Sequence, residues 1–214
     1  MDRRSTAAAT IALLLCASAA RAADQGSLAD KGWYIGAGAG RFHFHGFDDS
    51  CSTSSNTCSV SFTESGNTEK VLVGYQFVRY VAIELDHVWL GKITRTETDN
   101  SSGAVRRSAT SKTRGYTFDV VGTLPIGSRL GFQGRFGTSY WHSQTSETGP
   151  GFANSDVDYG FGYQFGVGVK YDLHKNWVLR AEIRKFTVAS GDLVTATMWP
   201  PLYLASASVV FRFR

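Results

Sequence analysis

A period of two in hydrophobicity, an alternation of short with long connections, and two bands of aromatic residues predict an all-β chain. The fold class is a transmembrane antiparallel β-barrel of eight strands, with short periplasmic turns and long extracellular loops. The 214 residues are a one-domain length, 43% hydrophobic and 19% charged. After residue 24 no stretch approaches the ~20 apolar residues of a spanning helix, and LYLASASVVF is only half that length. Regularly spread Val, Ile, Leu, Phe and Tyr argue against disorder.

The first element is an address. Arg3 and Arg4, the apolar run AAATIALLLCASAA and the small-residue site Ala20-Arg21-Ala22 read as a secretory signal peptide over residues 1–22, cleaved before Ala23. A lipid anchor on Cys16 fits poorly, because Leu13, Leu14 and Leu15 precede it. The barrel domain is then 23–214. Cleavage removes three Arg and one Asp, so a formal charge of +4 falls to +2, too small to argue for nucleic acid. Cys51 and Cys58 are the remaining thiols and, in an exported chain, most simply pair with each other.

Eight strands follow, near 32–45, 67–77, 80–94, 111–124, 128–143, 157–172, 177–189 and 202–213. The clearest is 159–171: Tyr159, Phe161, Tyr163, Phe165, Val167, Val169 and Tyr171 share one face, opposite four glycines, Gln164 and Lys170. Helical spacing would scatter both sets around an axis. Segment 81–89 sets Val81, Ile83, Leu85 and Trp89 against Glu84 and Asp86, and 116–124 sets Tyr116, Phe118, Val120 and Leu124 against Asp119. Segment 130–141 sets Leu130, Phe132, Phe136 and Tyr140 against Gln133, Arg135 and Ser139, and the last strand repeats the scheme from Tyr203 to Phe213. FVR, PIGSR and DLHKN are short turns; 46–66, 95–110, 144–156 and 190–201 are expected to be long polar loops. Trp33, Tyr75, Tyr171, Trp177 and Phe213 mark one interface, and Trp89, Tyr116, Tyr140, Tyr159 and Tyr203 the other. A soluble sandwich would have to pack its core around the glycines and charges and wear the aromatics as a coat.

These stretches carry a resemblance. GWYIGAGAG at 32–40, VGYQFVRYVAIELDHVWLGK at 73–92, GRFG at 134–137, and GVKY followed by LRAE within 168–182 resemble, in order, the OmpA-like eight-stranded outer-membrane barrels and small surface antigens. The resemblance covers nearly all of the mature chain. It implies an outer-membrane location in a Gram-negative bacterium, a polar, ion-paired interior with Glu84, Lys170 and Arg180 at matching positions, and recognition of the C-terminal strand by the barrel-assembly machinery. Here Phe213 is penultimate and Arg214 terminal, where the family commonly closes on an aromatic. Many such proteins continue into a peptidoglycan-binding domain; none is carried over here.

The alternation phase points Glu84, Asp86, Asp119, Arg135, Lys170, Arg180, Glu182 and Arg184 into the lumen, four acids with four bases. An eight-stranded barrel has room inside only for side chains, so an ion-paired plug is favoured over a narrow pore. At the outer rim Arg41, Arg106, Arg107, Lys112 and Arg114 are candidate contacts for lipopolysaccharide phosphates, against the plainer reading of solvated loop charges. External or host ligands are possible partners of the loops. No enzyme, cofactor or metal is expected: adjacent His142 and Ser143 face opposite sides, and His43, His45, Asp48 and Asp49 lack a fixed ligand set. The expected role is structural or surface-interactive, with a small-solute channel and a lipid A-modifying enzyme as rivals.

Overall fold

The computed structural model describes residues 31–44, 50–53, 56–62, 65–100, 102–191 and 202–213. The proposed signal peptide lies outside the described residues. Ten strands form: β1 (Gly32–Phe44), β2 (Ser50–Thr53), β3 (Asn56–Phe62), β4 (Ser65–Val78), β5 (Val81–Asp99), β6 (Val105–Ile126), β7 (Leu130–Gly149), β8 (Phe152–Asp172), β9 (Trp177–Gly191) and β10 (Leu202–Arg212). Eight of them close a ring in the order β1-β4-β5-β6-β7-β8-β9-β10, with β10 returning to β1 and every pairing antiparallel. Closure leaves no unpaired strand edge in lipid, the condition a spanning sheet must meet.

Two expectations are corrected. The segment 46–66 is not simply a loop, because β2 and β3 form a hairpin whose β3 continues the sheet along the outer half of β5. Segments 95–110 and 144–156 are mostly strand. β6, β7 and β8 run 22, 20 and 21 residues, about twice a membrane crossing. They turn tightly at Gly103 and Gly151, whose φ of 67° and 84° is open to glycine at little steric cost. These outer halves have water on both faces, so Ser and Thr occupy both and no amphipathic signature marks them.

The alternation itself holds. Val167, Leu124 and Phe136 are 68%, 67% and 62% exposed, while every second residue between them is buried or points inward. At the short-turn end Trp33 meets Tyr75 edge-on at 5.1 Å, and Trp177 meets Phe211 at 5.0 Å. At the opposite end Tyr140 lies against Tyr159 and Phe161. The inward glycines are the other half of large inward side chains. Gly74 is the register partner of Tyr34, Gly115 of Trp141 and Gly66 of Phe42, and a Cβ at each would fall 2.3 to 2.6 Å from the partner's ring. In so narrow a tube, a large residue on one strand requires a hydrogen atom on the next.

Candidate functional site in the lumen and at the rim

Read from the short-turn end upward, the inward residues of β5 are Ala82, Glu84, Asp86, Val88 and Leu90, and those of β9 are Val178, Arg180, Glu182, Arg184 and Phe186. Buried residues of other strands join these at matching depths, so the lumen is layered. A lower apolar layer holds Leu72, Ala82, Val121, Val178 and Val210 around Tyr34. An upper one holds Phe42, Val88, Leu90, Ile93, Trp141, Phe186, Leu202 and Leu204. Between them lies the ionic layer.

Its hub is Arg135 of β7. One terminal nitrogen is 2.5 Å from Glu84 Oε2 and 3.3 Å from Glu182 Oε2; the other is 3.3 Å from both Asp86 and Asp119. Arg184, fully buried, lies 2.5 Å from Asp86 and 2.6 Å from Glu182. Arg180 pairs with Glu84, and its guanidinium lies 5.0 Å from the Tyr34 ring centroid. Lys70 pairs with Glu182. Neutral donors fill remaining positions: Tyr34 donates to Glu84 at 2.7 Å and Gln164 to Asp119 at 2.7 Å. Four acids and four bases balance, and such balance is what allows charge to sit away from water.

Seven of the eight predicted lumen residues meet in this layer. Lys170 is also buried but sits nearer the short-turn end, lining a separate hollow. The fourth cation is instead Lys70. The phase of Leu72, Gly74 and Gln76 extends to it within the expected strand 67–77, yet it was not among the lumen residues named from the sequence.

At the rim, Arg106 pairs with Asp99 and Arg107 with Glu147, roughly 15–20 Å farther out along β6 than Lys112 by strand rise. Lys112 and Arg114 point outward just above the belt of Trp89, Tyr116 and Tyr140. Between Trp89 and Lys92, β5 carries one residue more than β6 does between Arg114 and Lys112. This bulge reverses the phase, turning Lys92 outward and directly opposite Lys112. Gly91 belongs there, since a Cβ would lie 2.8 Å from the Asn67 carbonyl oxygen. Arg114 Nε donates to His142 Nδ1 at 3.4 Å, and these residues with Gln144 bound an outward hollow of about 360 Å³. Arg41 is exposed on β1, two strands from β5, opposite Asn67 of β4. Of His43, His45, Asp48 and Asp49, only His43 lies within the described residues.

A closed antiparallel ring with an apolar outer coat, paired aromatic belts and buried charge inside is an outer-membrane β-barrel. The sequence profile described as OmpA-like transmembrane domain matches residues 28–214, and the chain belongs to that family. Outer membrane protein A of Serratia marcescens is 28% identical over 214 residues, spanning 99% of this chain and 56% of the relative. That of Salmonella typhi is 27% identical over 216 residues, spanning 99% and 55%. The chain thus spans about half the length of these curated relatives. Among solved structures, the N-terminal barrel of Pseudomonas aeruginosa OprF superposes with a TM-score of 0.52 at 11% identity, covering 86% of this chain and 99% of that one. Neisserial surface protein A gives 0.50 at 14%, covering 85% and 97%. The protein resides in the outer membrane of a Gram-negative bacterium.

Proposed function

We propose that this barrel is a closed, non-enzymatic outer-membrane scaffold that holds lipopolysaccharide through a cationic face at its outer rim. The observation that carries the rim assignment is the Lys92–Lys112 pair. Like charges directly opposite on neighbouring strands repel, and here a bulge is used to bring them together. An anion bridging the two turns the repulsion into charge-assisted hydrogen bonding, and Arg114 beside them adds a fork suited to phosphate. The site stands directly above the aromatic belt, at headgroup level. Arg106 and Arg107, each with its own carboxylate, contribute less, and Arg41, exposed on β1, adds a further contact.

Changing Lys92, Lys112 and Arg114 to Gln together is expected to weaken lipopolysaccharide binding about tenfold or more and to flatten its salt dependence. Arg106→Gln with Arg107→Gln should change it far less. Equal loss in both variants, measured by titration into refolded barrel across a salt series, would return the charges to a general solubilising role.

Other parts of the reading rest on simpler grounds. Ser143 points inward, within hydrogen-bonding distance of Ser111 and Thr113 hydroxyls, while His142 faces outward, which supports a non-enzymatic role. The C-terminal strand, with Phe213 exposed, would address the assembly machinery. Residues 1–22 would be the cleaved leader. The hairpin of β2 and β3 would present the surface to external ligands. In it the backbones of Cys51 and Cys58 are register partners; their side chains lie outside the described part of the structure. Neighbouring antiparallel strands bring paired Cα atoms within disulfide range. A bridge would order this hairpin by about 2–3 kcal/mol. Replacing both with Ser is expected to speed proteolysis within 46–66 while leaving barrel stability unchanged, and full thiol labelling of the unreduced, denatured protein would exclude the bridge.

A further inference from the structure

At the outer rim Arg114 of β6 and His142 of β7 are direct register partners, so their side chains leave neighbouring strands on the same outward face. Arg114 Nε donates to His142 Nδ1 at 3.4 Å. On the other side of the imidazole stands Tyr159 of β8, edge-on with 5.0 Å between ring centroids. Arg114 and His142 line the outward hollow together with Lys92 and Lys112.

This contact belongs to one protonation state. Nδ1 accepts a hydrogen bond only while it carries no proton of its own, so the ring in this geometry is neutral. A charged ring donates from both nitrogens, and the guanidinium opposite it has no acceptor to offer. The outward groups packed around His142 are Arg114 and Lys112 on β6, Tyr140 and Gln144 on β7, and Tyr159 on β8. Beyond β6, Lys92, Trp89 and His87 follow on β5. Asp158 of β8 is the register partner of inward Ser143 and lies on the opposite face. Among the described residues no carboxylate faces His142, so an imidazolium here has only an external anion to pair with.

We infer that His142 is a pH-operated switch of the rim, raising its affinity for lipopolysaccharide phosphate as pH falls through the range in which histidine gains its proton. The inference rests on the rim reading above. The neutral imidazole holds Arg114 by its Nε. The imidazolium repels Arg114 unless both donate to a common acceptor, and a phosphate with several oxygens is such an acceptor. Protonation thus moves Arg114 from an internal partner to the ligand and adds one positive charge beside Lys112.

The test is titration of lipopolysaccharide into refolded barrel at about pH 7.5 and about pH 5.5, at constant ionic strength. Wild type is compared with His142→Gln, His142→Arg and His87→Gln, each confirmed as folded by its gel mobility. Phosphate monoesters themselves lose charge over this interval, so variants are compared at the same pH. The advantage of wild type over His142→Gln is expected to grow about fivefold on acidification. His142→Arg, charged throughout, should hold its advantage over His142→Gln at both pH values. His87→Gln alters the ring that lies 4.2 Å from Trp89 and 4.4 Å from Tyr116, and should keep the wild-type response. An advantage over His142→Gln that does not change with pH overturns the switch, as does a response lost in His87→Gln and kept in His142→Gln. The Lys92, Lys112 and Arg114 triple Gln variant separates that failure from failure of the rim itself. Binding lost in the triple variant keeps the rim, whereas wild-type binding by the triple variant at both pH values removes the rim and the switch together.

Discussion

Arg135→Ala is expected to cost on the order of 3–5 kcal/mol of barrel stability, the largest loss of any single substitution in this chain. Arg135 lies within salt-bridge distance of Glu84, Asp86, Asp119 and Glu182. Its removal leaves four carboxylates sharing Lys70, Arg180 and Arg184, in a layer flanked by buried apolar clusters above and below. Urea unfolding in lipid vesicles, followed by tryptophan fluorescence and gel mobility, reads the effect. Arg135→Ala combined with Glu84→Gln should recover part of the loss, because the excess negative charge falls. A double variant as unstable as the sum of its parts would show that the two residues are not coupled. A loss below about 1 kcal/mol would mean that water reaches the layer and screens it.

The second expectation concerns conduction. Wild-type protein in planar bilayers should be closed nearly all the time, since an ion must cross two apolar layers and an ionic one. Trp141→Ala with Phe186→Ala opens only the upper layer, whose rings meet edge-on at 5.0 Å, and should leave conductance close to wild type. Adding Arg135→Ala should produce frequent openings, about tenfold more for each 1.4 kcal/mol removed from the closed state. Stable, ion-selective openings in the wild type would replace the scaffold reading with that of a small-solute channel.

Both expectations rest on residues that were partly visible beforehand. The inward direction of Glu84, Asp86, Asp119, Arg135, Arg180, Glu182 and Arg184 follows from a period of two, because in an amphipathic strand the apolar face fixes the phase of the other. The rule worked wherever lipid bounded one face. It failed where that boundary stopped: in the outer halves of β5 to β8, with water on both sides, polar sequence looks like loop. Strict alternation along β5 would turn Lys92 inward; the added residue at Gly91 reverses the phase without changing the local composition.

The sequence by itself therefore determined the class of fold, the side of the wall on which each of these spanning residues lies, and most of the charge the interior holds. Which charges meet was decided only by the closed ring. Arg135 of β7 reaches Glu84 on β5 and Glu182 on β9 because register and closure set their relative heights, a property of eight pairings at once that no single strand encodes. The same closure stacked Val88, Leu90, Trp141, Phe186 and Leu204 into one apolar layer. In sequence these are isolated exceptions to a polar interior; across a narrow lumen they are neighbours, and they cover one side of the ionic layer.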